Sequence, residues 1–337
     1  MPAWTEPTSL GGGSWYRRGW KGFQRAGSAE GLINAADSRS TSSRWVALGV
    51  LSLGWGTRGV ATRAAFERGV GALTLVGIRL AIASLIVVGV RALLRNRPRI
   101  DHHVLRVGAV MAVTNVAVPF WAFTVALQHA SAGFVGLMAA LTPLSTALIG
   151  HQMLPDEPLN ARRGIGMLLG FTGVGVLLAA GDSGLATGGQ PYLAVAWSVP
   201  GITAFSFSTV YARQAAASIG GLNILVVQFT IGAALALVPM LIFEGIPGLG
   251  IGAWALLGYL AVASTVLPLL LFYWVLIRSS AGQASLVGYL VPVVSVVAGI
   301  VLLGERAQPG LLMGGTAILA GVVVADWGQG RPRTRPA

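Results

Sequence analysis

Two arginines lie inside long apolar stretches of the sequence, where a charged side chain is costly. Arg79 falls well inside the second of these stretches, and Arg58 falls near the middle of the first. A charge at the centre of a bilayer costs about 2.5 to 3.5 kcal/mol on insertion scales, so one that persists usually faces a cavity or a partner. We therefore predict that Arg79 binds a substrate carboxylate, and that Arg58 favours an anionic ligand if it faces the same cavity.

Each arginine also has a structural interpretation. Arg79 could bond carbonyl groups at helix ends or extend toward the membrane interface. Arg58 could approach the outer interface beside Arg63 and Arg68 if the first helix is locally shifted. The sequence singles out both residues and leaves their roles open.

Prolines, polar residues and aromatic residues surround the predicted cavity. A proline inside a helix removes a backbone hydrogen bond and bends the helix, and the freed carbonyls are tolerated in a membrane only against protein or a wet cavity. We predict helix kinks at Pro119, Pro143, Pro268 and Pro292. The other candidates for the cavity, each of which also fits a packing role, are Trp55, Asn115, Trp121, Thr142, Tyr273, Trp274, Gln283, Tyr289 and Ser295.

The remaining reactive residue types argue against catalysis. The chain has no Cys, and its four His residues fall at segment ends without an acidic partner inside an apolar stretch. Hydrolysis or acyl transfer needs a nucleophile with a positioned base, or a metal cluster. We therefore predict no catalytic residue, no metal site and no cofactor, and we expect that the protein is not an enzyme.

The 11 acidic residues all fall in tails, in loops or at segment ends. A proton pump usually carries a carboxylate in mid-membrane, so facilitated diffusion or exchange fits this chain better. For Glu157 and Glu305 we predict helix capping and pairing between helices, although either carboxyl group could titrate.

Composition places these residues in a membrane protein. Hydrophobic residues make up 54% of the 337 residues and charged residues 10%, against about 25% charged in soluble domains, and the mean hydropathy is +0.73. A helix needs about 20 apolar residues to cross a bilayer. We predict an all-α fold with ten transmembrane helices near residues 45–66, 70–91, 105–126, 130–151, 163–180, 192–212, 221–243, 252–275, 281–303 and 308–326.

The basic residues predict the orientation. Most of the 23 Lys and Arg residues fall in the tails and in alternate loops, which become cytoplasmic if both termini are cytoplasmic. The net charge of +12 therefore indicates how the chain is oriented in the membrane and does not indicate a nucleic-acid-binding surface. We expect a multi-pass protein of the inner (plasma) membrane, in contact with lipid and a small-molecule substrate, and either a monomer or a homodimer.

An internal repeat divides the chain into two halves. Rare residues recur in order: Pro119 with Pro268, Pro143 with Pro292, Glu157 with Glu305, Gly166 with Gly314, and Gly173 with Gly321. Five helices in each copy force the second copy to enter the membrane inverted, as in many transporters. We predict a disordered tail at 1–43, repeat 1 at 44–181, repeat 2 at 190–327 and a basic tail at 328–337.

Several local motifs resemble those of the EamA family of the drug/metabolite transporter superfamily, over roughly residues 45–327. They are Trp55-Gly56-Thr57, Gly77-Ile78-Arg79-Leu80, Ala130-Ser131-Ala132, Leu141-Thr142-Pro143, Asp156-Glu157 and Leu303-Gly304-Glu305-Arg306. The resemblance implies a five-plus-five inverted fold, cytoplasmic termini, a central cavity, and export or exchange of amino acids, related metabolites or drugs. Arg58 departs from the family, where a small polar or uncharged residue is more usual.

We therefore predict a secondary transporter that exports a small metabolite, amino-acid-like compound or drug by alternating access. The alternatives are a channel and a non-transporting membrane scaffold. A channel would show pore-lining rings of one residue type, which the sequence lacks. The loops are too short to form the soluble module of a scaffold.

Overall fold

Ten helical segments follow one another along the chain. The computed structural model describes residues 41–94, 99–154, 159–181, 183–185, 188–215, 221–278 and 281–326. We call the segments spans 1 to 10; their bounds are Thr41–Phe66, Ala72–Leu93, His102–His129, Ala132–Met153, Ala161–Ala179, Pro191–Ala215, Gly221–Phe243, Ile251–Arg278, Ala281–Leu303 and Pro309–Asp326. The described part of the chain contains helix and no strand, so the predicted all-α fold is confirmed.

Within the described part of the chain, nine of these spans are long and apolar enough to cross a membrane. Span 1 is not among them, and it consists of two helices, Thr41–Gly56 and Arg58–Phe66, that meet at Thr57. The Thr57 hydroxyl donates at 2.6 Å to the Leu53 carbonyl of its own helix, so it accepts the 2.6 Å hydrogen bond from the Tyr259 hydroxyl of span 8. The predicted first span is therefore present with an interruption at its middle.

Spans 3 and 8 depart from regular α-helix at matching places. A π-helical turn at Ala112–Ala117 precedes Pro119, and another at Val262–Val266 precedes Pro268. Such turns widen a helix and free backbone groups, and they are frequent at functional sites. Pro143 begins the second part of span 4 after an interruption at residues 140–141, whereas Pro292 lies inside an unbroken helix.

Contacts at the span ends reveal how the two halves are arranged. At the start of span 2, the backbone amides of Leu73 and Thr74 donate to Glu244 at the end of span 7. At the other end of the same pair, Arg91 donates to Asn223 at the start of span 7. Span 2 and its counterpart, span 7, therefore pack antiparallel to each other, as an inverted repeat requires.

The pattern of buried residues is the same at the starts of spans 2 and 7. A run of seven buried residues, Thr74–Leu80, begins span 2, and an equal run, Asn223–Phe229, begins span 7. This register pairs Arg79 with Gln228. Spans 1 and 6 can be aligned in the same way, because Val60 and Arg63 match Val210 and Arg213. This alignment pairs Arg58 with Ser208, and Gly54 with Ala204.

Spans 5 and 10 pack closely through the glycines that the repeat matched. A methyl group added at Gly173 would lie 2.6 Å from the carbonyl oxygen of Gly314, and one added at Gly166 would lie 2.5 Å from that of Gly321. Small residues let two membrane helices approach backbone to backbone. The last helix of each repeat therefore packs against the last helix of the other.

Candidate functional site

The two arginines singled out from the sequence line one cavity. Its walls come from spans 1, 2, 3 and 6, and its volume is about 40 Å³, close to the space one water molecule occupies in the liquid. Besides the arginines, it is lined by Thr62, Pro119, Phe120, Phe123, Thr124, Leu127 and Phe205. The cavity thus combines two cationic side chains with aromatic rings, and each guanidinium lies over one of the rings.

Arg79 is held in place by neutral partners. Its side chain is only 2% exposed, and its Nε donates to the Thr265 hydroxyl at 2.8 Å. A second nitrogen, Nη2, donates to the Ser264 carbonyl at 3.3 Å, and the guanidinium lies 4.6 Å from the ring centre of Phe120. Both hydrogen-bond acceptors lie in the π-helical turn of span 8, so Arg79 ties span 2 to that turn.

Arg58 is less restrained. Its guanidinium lies 5.5 Å from the ring centre of Phe123, a distance that allows a cation–π interaction. Among the described residues it has neither a hydrogen-bond acceptor nor a carboxylate partner, and its side chain is partly exposed to the cavity. Since a guanidinium offers five N–H donors, Arg58 can bind an acceptor that enters the cavity.

A second polar cluster occupies the equivalent place in the other repeat. Gln228, the counterpart of Arg79, is fully buried and accepts a 3.1 Å hydrogen bond from Asn115 in the π-helical turn of span 3. The Asn115 oxygen in turn accepts at 3.2 Å from Ser208, the counterpart of Arg58. We call Arg58, Arg79 and Thr265 the cationic cluster, and Ser208, Gln228 and Asn115 the neutral cluster.

A larger cleft opens elsewhere in the bundle. It has a volume of about 530 Å³ and lies between spans 3, 4 and 6. Its lining residues are Thr114, Ile149, Gln152, Met153, Pro200, Thr203, Ala204 and Phe207. Met153 ends span 4, which places the cleft toward the side of the bundle where span 1 begins, because consecutive spans cross in opposite directions. We call this the N-terminal side and the opposite one the far side.

The far side is closed by a buried carboxylate. Glu305, at the end of span 9, accepts from the backbone amides of Ala132 at 2.6 Å and Gly133 at 3.2 Å, at the start of span 4. Arg63 lies 3.9 Å from the same carboxylate and also donates to the Leu127 carbonyl at 2.9 Å. The predicted capping and pairing role of Glu305 is confirmed, whereas Glu157 lies outside the described residues.

Burial controls the ionisation of this carboxylate. The Glu305 side chain is 5% exposed. Desolvation raises its pKa, and the amides of Ala132 and Gly133, the Arg63 guanidinium and the Ser131 hydroxyl oppose that shift without cancelling it. Glu305 is therefore a far-side contact whose strength depends on protonation.

Several other predicted cavity residues lie outside the arginine cavity. Trp55 contacts Phe272 with ring centres 5.5 Å apart, and Trp274 packs beside the same apolar cluster. Trp121 meets Trp197 edge to face, with ring centres 5.3 Å apart. Trp55 and Trp274 therefore pack against other helices, whereas Trp121 lies against Trp197 on an exposed face.

The predicted polar candidates are also dispersed. Tyr289 donates to Asp326 at 2.9 Å, Thr142 donates to the Ala139 carbonyl at 2.7 Å, and Ser295 donates to the Ala132 carbonyl at 2.8 Å. Asn115 belongs to the neutral cluster. The side chains of Tyr273 and Gln283 lie outside the described residues.

Sequence reasoning missed the partners that position the arginines. Ser264 and Thr265 are buried polar residues just before Pro268, and Ser264 has the same spacing from Pro268 that Asn115 has from Pro119. Comparing the two halves at these positions could have identified them. Phe120, Phe123 and Phe205 carried no such signal, since aromatic residues are common in membrane helices.

Comparison with known proteins identifies the family and the fold of the chain. The model of the EamA-like transporter family matches residues 43–179 and again residues 193–325. The chain is similar to the uncharacterized transporter YvbV of Bacillus subtilis (strain 168), with 24% identity over 262 residues, which are 75% of this chain and 82% of that protein. A solved crystal structure shares the fold, with a TM-score of 0.58 at 20% identity, over 85% of this chain and 98% of that one. The chain belongs to the EamA-like transporter family.

Proposed function

We propose that this membrane transporter is a secondary carrier that exports a small metabolite, amino-acid-like compound or drug by alternating access. The two five-helix halves rock about a site near the membrane midplane, where the cationic cluster lies. In this proposal both termini are in the cytoplasm and the protein lies in the inner membrane, so the N-terminal side is the cytoplasmic one.

The observation that carries the proposal is an asymmetry between positions that the repeat relates. Gly54 and Ala263 face each other so closely that a methyl group at Gly54 would overlap the Ala263 carbonyl oxygen. Their counterparts, Ala204 and Thr114, both line the open 530 Å³ cleft. The counterpart positions thus differ in their surroundings: Gly54 and Ala263 pack tightly, whereas Ala204 and Thr114 border a cleft beside the Ser208–Asn115 hydrogen bond that joins spans 6 and 3.

Two further contacts support a closed far side. The hydrogen bond between Thr57 and Tyr259 joins spans 1 and 8 near the close contact. Glu305 joins spans 9 and 4 at the far end. Exchanging the conformations of the halves would open spans 1, 8 and 9 toward the far side and close spans 3, 4 and 6. That exchange is what alternating access requires of an inverted repeat.

An untargeted comparison of metabolites in cells and medium, with and without overexpression, tests this function. We expect at least one solute to accumulate in the medium when the protein is overproduced, relative to an empty-vector control. Accumulation inside the cells would contradict the export direction. If no solute redistributes between the compartments, the carrier proposal fails.

A further inference from the structure

We infer that the solute moved by this carrier is an organic carboxylate, bound by Arg58 and Arg79 through its carboxylate and by the surrounding phenylalanines through its apolar body. This inference rests on the proposed function and names the substrate class of the same cavity. It depends on the charge, the hydrogen bonding and the shape of the cavity.

The charge of the cavity is uncompensated. Arg58 and Arg79 both line it, and neither has a carboxylate partner among the described residues. A buried charge without a partner is strongly unfavourable, and an entering anion would relieve that cost for both groups at once. The cavity therefore selects for negative charge.

The neutral cluster shows that the fold does not need these charges. In the second repeat, Gln228 joins span 7 to the π-helical turn of span 3 through Asn115. Arg79 makes the corresponding link from span 2 to span 8 through Thr265. Since an amide accomplishes the same link, the positive charges of the cationic cluster call for a reason beyond helix packing, and anion binding supplies it.

The two arginines differ in how many of their hydrogen-bond donors are already used. Arg79 already uses its Nε and Nη2 on Thr265 and Ser264, which fixes its orientation and leaves its remaining donors. Arg58 has no hydrogen-bond acceptor among the described residues and faces the cavity from span 1. A carboxylate bound mainly by Arg58 and secondarily by Arg79 would satisfy both, with a planar geometry that suits a guanidinium.

The shape of the cavity restricts the bound group. A volume of about 40 Å³ has room for a small polar group such as a carboxylate. The apolar body must then lie against Phe120, Phe123 and Phe205, which requires the cavity to widen. Phe205 belongs to span 6, and its neighbours Thr203 and Ala204 line the open cleft, so a movement of span 6 would join the two spaces.

Thermal stabilisation of the purified full-length protein by small probes tests the inference. The probes are phenylacetate and isovalerate, their neutral amides, phenethylamine and phenyl phosphate. We expect both carboxylates to raise the melting temperature in a concentration-dependent way, and the amides and the amine to leave it unchanged. Equal stabilisation by the amides or the amine would overturn the inference, as would stabilisation by phenyl phosphate alone or by none of the probes.

Variants locate the binding group. We expect Arg58→Gln to weaken carboxylate binding by about tenfold or more, the effect of losing one charge-assisted interaction, and Arg58→Lys to retain part of it. The matched control is Arg68→Gln, because Arg68 is exposed and donates to the nearby Ala64 carbonyl at 2.9 Å. Unchanged affinity in Arg58→Gln would overturn the assignment.

The two proposals fail in different ways. If overexpression exports a solute but carboxylates do not bind, the substrate class is wrong and the carrier stands. If carboxylates bind through Arg58 but no solute redistributes, the cavity binds anions and the carrier proposal fails.

Discussion

Glu305 is a buried residue whose charge state affects the stability of the far-side contact. Its pKa is raised because desolvation outweighs the two backbone amides and Arg63. A folded-state pKa above the unfolded value means that the folded protein binds the proton more tightly. The stabilisation from that proton is fully present below the ordinary Glu pKa, about 4.3, and is lost as the pH rises through the raised value.

The first prediction concerns this dependence on pH. We expect the melting temperature of the wild-type protein to fall as the pH rises from about 4.3 through the raised pKa of Glu305. In Glu305→Gln this component should be absent, because the amide does not titrate. Thermal unfolding across that pH range measures it, with Glu67→Gln as the control at an exposed carboxylate. An identical pH profile in Glu305→Gln and wild type would contradict the prediction.

The second prediction separates packing from charge at Arg79. We expect Arg79→Gln to fold, with a loss of no more than about 2 kcal/mol, because Gln228 makes the equivalent link in the other repeat. Arg79→Leu should be less stable than Arg79→Gln, since the buried acceptors on span 8 would then have no donor from span 2. Thermal unfolding compares the two variants. Equal stability of the two would show that the hydrogen bonds to span 8 contribute little.

At the level of elements, the contact between spans 5 and 10 depends on glycine. We expect Gly173→Val to destabilise the protein by about 2 kcal/mol or more, because the added atoms would overlap the Gly314 carbonyl and Ile318. Gly175→Val is the matched control, since nothing lies within 4 Å of a methyl group placed there. Thermal unfolding and the yield of monodisperse protein measure the effect. A loss in Gly175→Val equal to that in Gly173→Val would point to helix propensity as the cause and not to contact.

Much of this architecture could be predicted from the sequence because apolar length and repetition are strong signals. The split between spans 3 and 4 at Gln128–Ser131 was predicted within a few residues, since a charge-free stretch too long for one helix must turn where polar residues occur. The interruption of span 1 at Thr57 was not predicted. It depends on the contact with Tyr259, which lies far away in sequence.

The candidate site was predictable only in part. Burying a charge in a membrane is costly, and that cost made Arg58 and Arg79 conspicuous in the sequence. Their partners Thr265 and Phe123 are ordinary residues whose role arises only when the helices pack. Trp55 and Tyr289 looked equally suitable for a cavity, yet packing partners on other helices hold them away from it.

On the scale of the whole molecule, the two halves share a sequence pattern but differ in conformation. The contact between Gly54 and Ala263 is closed, and the counterpart positions Ala204 and Thr114 border an open cleft. If that difference is one of two alternating states, weakening the far-side contact at Glu305 should favour the other state. The reactivity of the two counterpart positions should then change in opposite directions.

Cysteine accessibility tests this claim most directly, since the native chain contains no Cys. Thr114→Cys and Ala263→Cys would each be treated with a membrane-impermeant thiol reagent in sealed vesicles of both orientations. We expect Thr114→Cys to react from the N-terminal side and Ala263→Cys to be protected. Glu305→Ala removes the acceptor of the Ala132 and Gly133 amides, and we expect it to lower the first reactivity and raise the second from the far side. Reaction of both positions from the same side, or a parallel change in both when Glu305→Ala is added, would contradict alternating access.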